Sequence, residues 1–232
     1  MKLCQIPDEE FKRRWHAVQK GIKEKGLDLL IVHSDEADFA NVRYLSDYWP
    51  IFESAGVIVP AEGEPALLIG PESETFARDT SRIKKIYKLI EYRESAEPEY
   101  PNIQVDTFCS IFKEMLGRKV KKIGITSYQI FPLPVYEAIR KAAPEAELIK
   151  SDEIIVDLRI IKSPVELGIL KEAFRISEAA LAKTLNRMKP TMTELEVVGI
   201  IEEALYSEGA EYEGHPQYVL AGKNSTHAIG RP

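Results

Sequence analysis

The side chains most able to do chemistry here are His16, His33, His215 and His227. An imidazole near neutral pH can shuttle a proton, donate to a developing oxyanion or bind a metal. His215 and His227 fall close together, in a stretch rich in Gly, Asn, Ser and Thr, and loops of that composition carry function more often than helical faces do. His33 closes the apolar run Leu29–Val32, where a structural histidine is the plainer reading, and His16 sits within an amphipathic stretch as a surface or boundary residue. Carboxylates are plentiful but ungrouped: Glu202, Glu203, Glu211 and Glu213 would need partners from elsewhere, and exposed helix-face positions suit them better. There is no His-Glu-x-x-His, no glycine-rich phosphate loop, no Gly-x-Ser-x-Gly and no Cys-x-x-Cys. Cys4 and Cys109 have no metal spacing and read as reduced thiols. No metal ligand is assigned within these residues.

The elements that must position these groups follow from periodicity. Phe11, Trp15, Val18 and Ile22 recur at helical spacing after Pro7-Asp8, and Gly26 closes that helix. Leu29–His33 reads as a strand buried on both faces. Gly56–Val59 and Ala66–Ile69 flank a five-residue turn, Ala61-Glu62-Gly63-Glu64-Pro65, and predict a hairpin. A short helix over Pro71–Asp79 and a strand over Lys85–Leu89 come next, then an acidic, proline-bearing loop over Glu91–Pro101. Helices over Val105–Leu116 and Pro134–Ala143 alternate with strands over Lys122–Thr126 and Leu148–Lys150. The alternation predicts an α/β domain, with a mixed sheet because of the hairpin. Past residue 160 the pattern changes. Ser163-Pro164-Val165-Glu166 and Thr193-Glu194-Leu195-Glu196 are capping boxes opening helices to about Arg187 and Ser207. Gly209 ends the second helix, Pro216–Leu220 reads as a strand, and Gly222–Ser225 as a turn. The expected domains are therefore 1–160 and 161–232.

The chain has 232 residues, 44% of them hydrophobic and 29% charged, an ordinary globular balance. A net charge of −6 argues against binding a phosphate backbone, which needs a basic face, so no nucleic-acid partner is expected. The apolar runs are too short to span a bilayer, and Met1–Asp8 has no signal-peptide core, so the expectation is a cytoplasmic protein with no membrane partner.

Four stretches carry a family resemblance. Arg159–Leu181 (RIIKSPVELGILKEAFRISEAAL) resembles the first catalytic-domain helix of the prolidase, aminopeptidase P and creatinase family. Met192–Glu211 is similar to that family's second helix. His215–Pro232 is similar to the strand and turn that follow, where a Gly-x-Asn turn, here Gly222 and Asn224, leads to an active-site histidine, here His227. Upstream, Asn41-Val42-Arg43-Tyr44-Leu45 resembles the Asn-x-x-Tyr-Leu segment of the family's N-terminal domain. The resemblance implies a creatinase-like N-terminal domain with a mixed sheet, followed by an incomplete α/β half of a pita-bread catalytic domain.

What the resemblance implies about activity is specific. Family members are mostly peptidases that hydrolyse the bond before proline, with two divalent metal ions (manganese, cobalt or zinc) held by two Asp, one His and two Glu. All of those ligands would lie beyond Pro232. His227 corresponds to the histidine that hydrogen-bonds substrate or tetrahedral intermediate, and His215, in the same segment, is a candidate substrate contact. In related dimers the N-terminal domain reaches toward the partner's site, which makes Tyr48, Trp49 and Phe52 further candidate contacts, although plain core packing is the favoured reading of such aromatics. The expected protein is an Xaa-Pro dipeptidase or aminopeptidase acting on proline-containing peptides as a homodimer. The 232 residues alone are expected to bind no metal stoichiometrically and to cleave nothing. Two alternatives are a creatinase-like hydrolase using no metal and a non-catalytic peptide-binding module of the same fold.

Overall fold

Phe11, Val18 and Ile22 are fully buried along one face of the first helix, α1 (Asp8–Glu24). Asp8, Glu9 and Glu10 occupy its first turn, where negative charge complements the helix dipole. Gly26 then reverses the chain at φ 64°, a left-handed conformation that a Cβ disfavours. The computed structural model describes residues 5–51 and 53–232, so Cys4 and Phe52 lie outside the described residues. The described chain divides into two compact units, Ile6–Ile161 and one containing Lys162–Pro232.

The first unit is built on β1 (Leu29–Asp35), β2 (Ser54–Pro60), β3 (Ala66–Ile69), β4 (Ile86–Lys88), β5 (Lys122–Thr126) and β6 (Glu147–Lys150). They form one mixed sheet in the order β4-β3-β2-β1-β5-β6. The hairpin makes β2 antiparallel to both β1 and β3, while β3–β4, β1–β5 and β5–β6 are parallel. Six of the seven residues of β1 are buried, because alternate side chains enter two different cores. Leu29 and Ile31 join the core formed with α4 (Phe108–Leu116) and α5 (Leu133–Ala142). Leu30 and Val32 join the core that holds α1, α2 (Ala40–Ser46), α3 (Glu74–Thr80) and α6 (Glu153–Ile160).

The second unit is helical. Ser163 and Glu166 cap α7 (Pro164–Arg187), and Thr193 and Glu196 cap α8 (Glu194–Ser207), each by a reciprocal pair of hydrogen bonds. Ile176, Ala180 and Thr184 on α7 and Val197, Ile200 and Ala204 on α8 are its buried side chains. Glu208 clasps the pair, accepting from Arg175 at 3.0 Å and Lys183 at 2.5 Å. The strand expected over Pro216–Leu220 is not formed. A strand needs a neighbour to complete its backbone hydrogen bonds, and among the described residues no strand pairs with this segment. Among the described residues no helix is long and apolar enough to cross a membrane.

Candidate functional site

In the first unit the candidate residues cluster around α2, which the sequence reading left unassigned. The helix is held at its C-terminal end by donors distant in sequence. Arg14 Nη1 donates to the Tyr44 carbonyl at 2.8 Å and Trp15 Nε1 to the Leu45 carbonyl at 2.7 Å. The Arg82 backbone N–H takes the Ser46 carbonyl at 2.7 Å. These donors satisfy carbonyls that a helix end leaves open. Asp47 follows at φ 64°, and its carboxylate accepts from Arg82 Nε at 3.1 Å.

Tyr48 comes next and points inward. It is fully buried, its ring lies 5.6 Å from that of Phe76, and its hydroxyl donates to Glu53 Oε1 at 2.5 Å. Burial, with Glu53 beside it, pushes the phenol well above its ordinary range. Burial also raises the Glu53 carboxyl, and the negative charges of Glu72 and Glu94 add to that, against the hydrogen bonds from Ser73 and Tyr48. Tyr48 and Glu53 therefore form a buried, hydrogen-bonded pair in which burial disfavours the charged form of each.

Trp49 is half-buried. Its ring stacks on Phe39 at 4.5 Å, and the Arg43 guanidinium lies 5.0 Å from its centre. Of the three aromatic candidates, then, Tyr48 is a core residue, Trp49 offers part of its ring to the surface, and Phe52 lies outside the described residues. His33 is buried in β1 between the rings of Tyr92 (5.9 Å) and Phe131 (5.8 Å). Its Nδ1 has no hydrogen-bond partner, and burial holds the imidazole down to about 4, so it is neutral at pH 7.

In the second unit His215 and His227 are both exposed. His215 Nδ1 lies 3.1 Å from the Pro216 carbonyl, which can only accept, and the Tyr218 hydroxyl lies 2.9 Å from His215 Nε2. His227 sits at the end of the 3-10 turn Gly222–Thr226, where its backbone N–H donates to the Asn224 carbonyl at 3.0 Å. Glu194 anchors that turn, accepting from the Ala221 N–H at 2.5 Å and from Asn224 Nδ2 at 3.0 Å. No hydrogen bond or ring contact joins His215 to His227 among the described residues. The sequence reading missed Glu194, whose only local signal is its place at the first position of α8 behind the capping residue Thr193.

Among the described residues, no three His, Cys, Asp or Glu side chains are grouped to hold a metal ion. The donor set present thus does not fit a two-metal centre. A surface depression of about 420 Å³ lined by Cys109, Lys113, Arg118 and Glu145 contains none of the candidate residues.

The sequence pattern of the Creatinase/Prolidase N-terminal domain matches residues 14–161, and that of Metallopeptidase family M24 matches residues 168–232. The chain is 29% identical over 188 residues to the Xaa-Pro dipeptidase of Pyrococcus horikoshii, covering 80% of this chain and 46% of that one. It is 27% identical over 242 residues to the Xaa-Pro aminopeptidase of Escherichia coli, covering 96% and 54%. In fold it is similar to the X-Pro aminopeptidase of Thermotoga maritima, with a TM-score of 0.66 at 21% identity, over 85% of this chain and 50% of that one. The chain spans about half the length of these relatives.

Proposed function

Because the chain belongs to the creatinase/prolidase family, we propose that it forms the N-terminal domain and the opening segment of the catalytic domain of an Xaa-Pro peptidase. The observation that carries this reading is the order of the two matches. The first ends at residue 161, where the first compact unit also ends, and the second lies wholly within the other unit. The substrate class is the proline-containing peptide, the reaction is hydrolysis of the bond before proline, and the protein works as a cytoplasmic homodimer.

In this reading His227 donates a hydrogen bond to the scissile carbonyl oxygen as negative charge develops there. Glu194 and Asn224 fix the turn that presents it. Trp49 and His215 contact the peptide, and Tyr48, through Glu53, braces the backbone that carries Trp49. No step is assigned to a metal, since no fitting donor group is found among the described residues.

The test has two parts. The 232-residue protein is assayed on Xaa-Pro dipeptides and longer Xaa-Pro peptides, with and without manganese, cobalt or zinc, and its metal content is measured. No turnover and no stoichiometric metal are expected, and a two-metal signal would overturn the site reading. A longer chain carrying the rest of an M24 domain is then assayed in the same way. Hydrolysis is expected, with His227→Ala lowering kcat more than metal content. An inactive, metal-loaded longer chain would sink the peptidase reading.

A further inference from the structure

Helix α2 spans seven residues, too few to be stable unaided, and its N-cap residue Phe39 makes no side-chain cap. Its start is secured from neighbouring elements. The Val42 N–H donates to Ser34 Oγ at 3.1 Å, which supplies a cap from β1. Asn41 is held on both sides: Arg159 Nη1 donates to its Oδ1 at 2.7 Å, and its Nδ2 donates to Ser127 Oγ at 2.9 Å. Ser127 Oγ in turn donates to the His33 carbonyl at 2.5 Å.

The direction of this chain is forced. A guanidinium can only donate, so the amide oxygen of Asn41 must face Arg159 and its NH₂ must face Ser127. The Ser127 oxygen therefore accepts from Asn41, and its proton is left for His33. The receiving carbonyl lies where the parallel ladder stops, since the last β1–β5 pair is Val32 with Thr126. Ser127 lies one residue past that pair at φ 60°, a conformation in which glycine would be easier. Its hydroxyl thus replaces the ladder bond that β5 no longer gives.

We propose that Arg159, Asn41 and Ser127 form a one-way donor relay that fixes the connection from β1 to α2, and with it the Phe39–Trp49 stack, with Arg159 as the positioning residue. The relay starts on α6, the last helix of the first unit, and ends on the central strand β1. Its bearing on peptide contact rests on the reading of Trp49 given above. The relay itself is tested without any hydrolysis, so its failure and the failure of the peptidase reading are distinguishable.

The experiment is amide hydrogen exchange of the 232-residue protein, followed at residues 36–49 and, as an internal reference, at 55–59. Ser127→Gly suits the left-handed backbone at least as well as serine, so it removes the hydroxyl while offsetting part of the cost of the two lost hydrogen bonds. Exchange at 36–49 is expected to rise ~10-fold or more, with a clearly smaller rise at 55–59, which pairs with β1, and a thermal midpoint lowered only by the part of the lost hydrogen bonding that relief of the left-handed backbone does not offset. Arg159→Ala should give the same local effect, and Arg159→Lys, which keeps one donor, should stay within ~3-fold of wild type. The double variant Arg159→Ala/Ser127→Gly should exceed neither single change, because both break one chain. Unchanged exchange at 36–49 in Ser127→Gly would overturn the relay. So would equal acceleration at 55–59, which is the mark of general loosening.

Discussion

In Ile6–Ile161 a six-stranded sheet is covered on both faces by helices, and its central strands are buried almost throughout. In Lys162–Pro232 burial is confined to the line between α7 and α8, while Leu167, Leu170, Phe174, Leu181 and Leu185 along α7 and Met188 just past its end stay 40–68% exposed. Both units are rich in apolar residues, but only the first converts them into a core. Apolar composition alone therefore does not measure stability; the layering around it does. The difference should be largest in a matched pair of truncations. Leu30→Ala, in β1 at zero exposure, should cost about 2–5 kcal/mol through the lost transfer energy and the cavity left behind. Leu181→Ala, on a side chain 56% exposed, should stay within about 0.5 kcal/mol. Urea denaturation of both variants measures this, and a large loss from Leu181→Ala would mean that its face of α7 is covered in solution.

Acid should weaken the first unit through His33. An unfolded histidine takes up its proton near pH 6.5, whereas burial holds the folded one down to about 4. Between those values the unfolded state binds more protons, so stability falls as the pH is lowered through that window, by up to about 3 kcal/mol for this one group. Glu53 works in the opposite sense. Its folded carboxyl is raised, so the native state binds the extra proton, and that contribution strengthens the fold as the pH drops. His33→Leu should flatten the fall between pH 6.5 and 4.5, and Glu53→Gln should steepen it. Denaturant midpoints across that range measure both slopes, and parallel curves for wild type and His33→Leu would remove His33 as the cause.

Legibility in the sequence tracked how local the cause was. Both capping boxes lie within four residues, and the two helices they open begin where the pattern placed them. The hairpin was equally readable, because its turn sits between two apolar runs. Helix α2 was not, since its cap comes from Ser34 and its C-terminal anchors from Arg14, Trp15 and Arg82. Helix α6 was missed for a related reason: it has no side-chain cap, and the run Ile154-Ile155-Val156 carries as much strand character as helix. At the candidate site, the aromatic run after α2 was visible, but not that Tyr48 would turn inward onto Glu53 while Trp49 stacked on Phe39. The clasp of Glu194 on Asn224 joins residues 30 apart, and no short pattern announces it.

The two units can be set against each other once more with a single methyl group. Gly56 lies in β2 opposite His33, and a Cβ added there would stand 2.4 Å from Tyr92 Oη and 3.1 Å from the Val32 carbonyl. Tyr92 is fully buried, so neither its ring nor the strand can yield cheaply. Gly56→Ala should therefore cost about 1–3 kcal/mol by overpacking. Gly199 is exposed in the interior of α8, with nothing within 4 Å of an added Cβ. There the same change removes backbone freedom from the unfolded chain without a clash, and Gly199→Ala should gain about 0.5–1 kcal/mol. Thermal midpoints of the two variants should thus move in opposite directions. A stabilising Gly56→Ala would mean that the Tyr92 side of the core has room to shift. A destabilising Gly199→Ala would mean that this face of α8 packs closely against something in solution, and the contrast between a filled unit and an open one would then have to be redrawn.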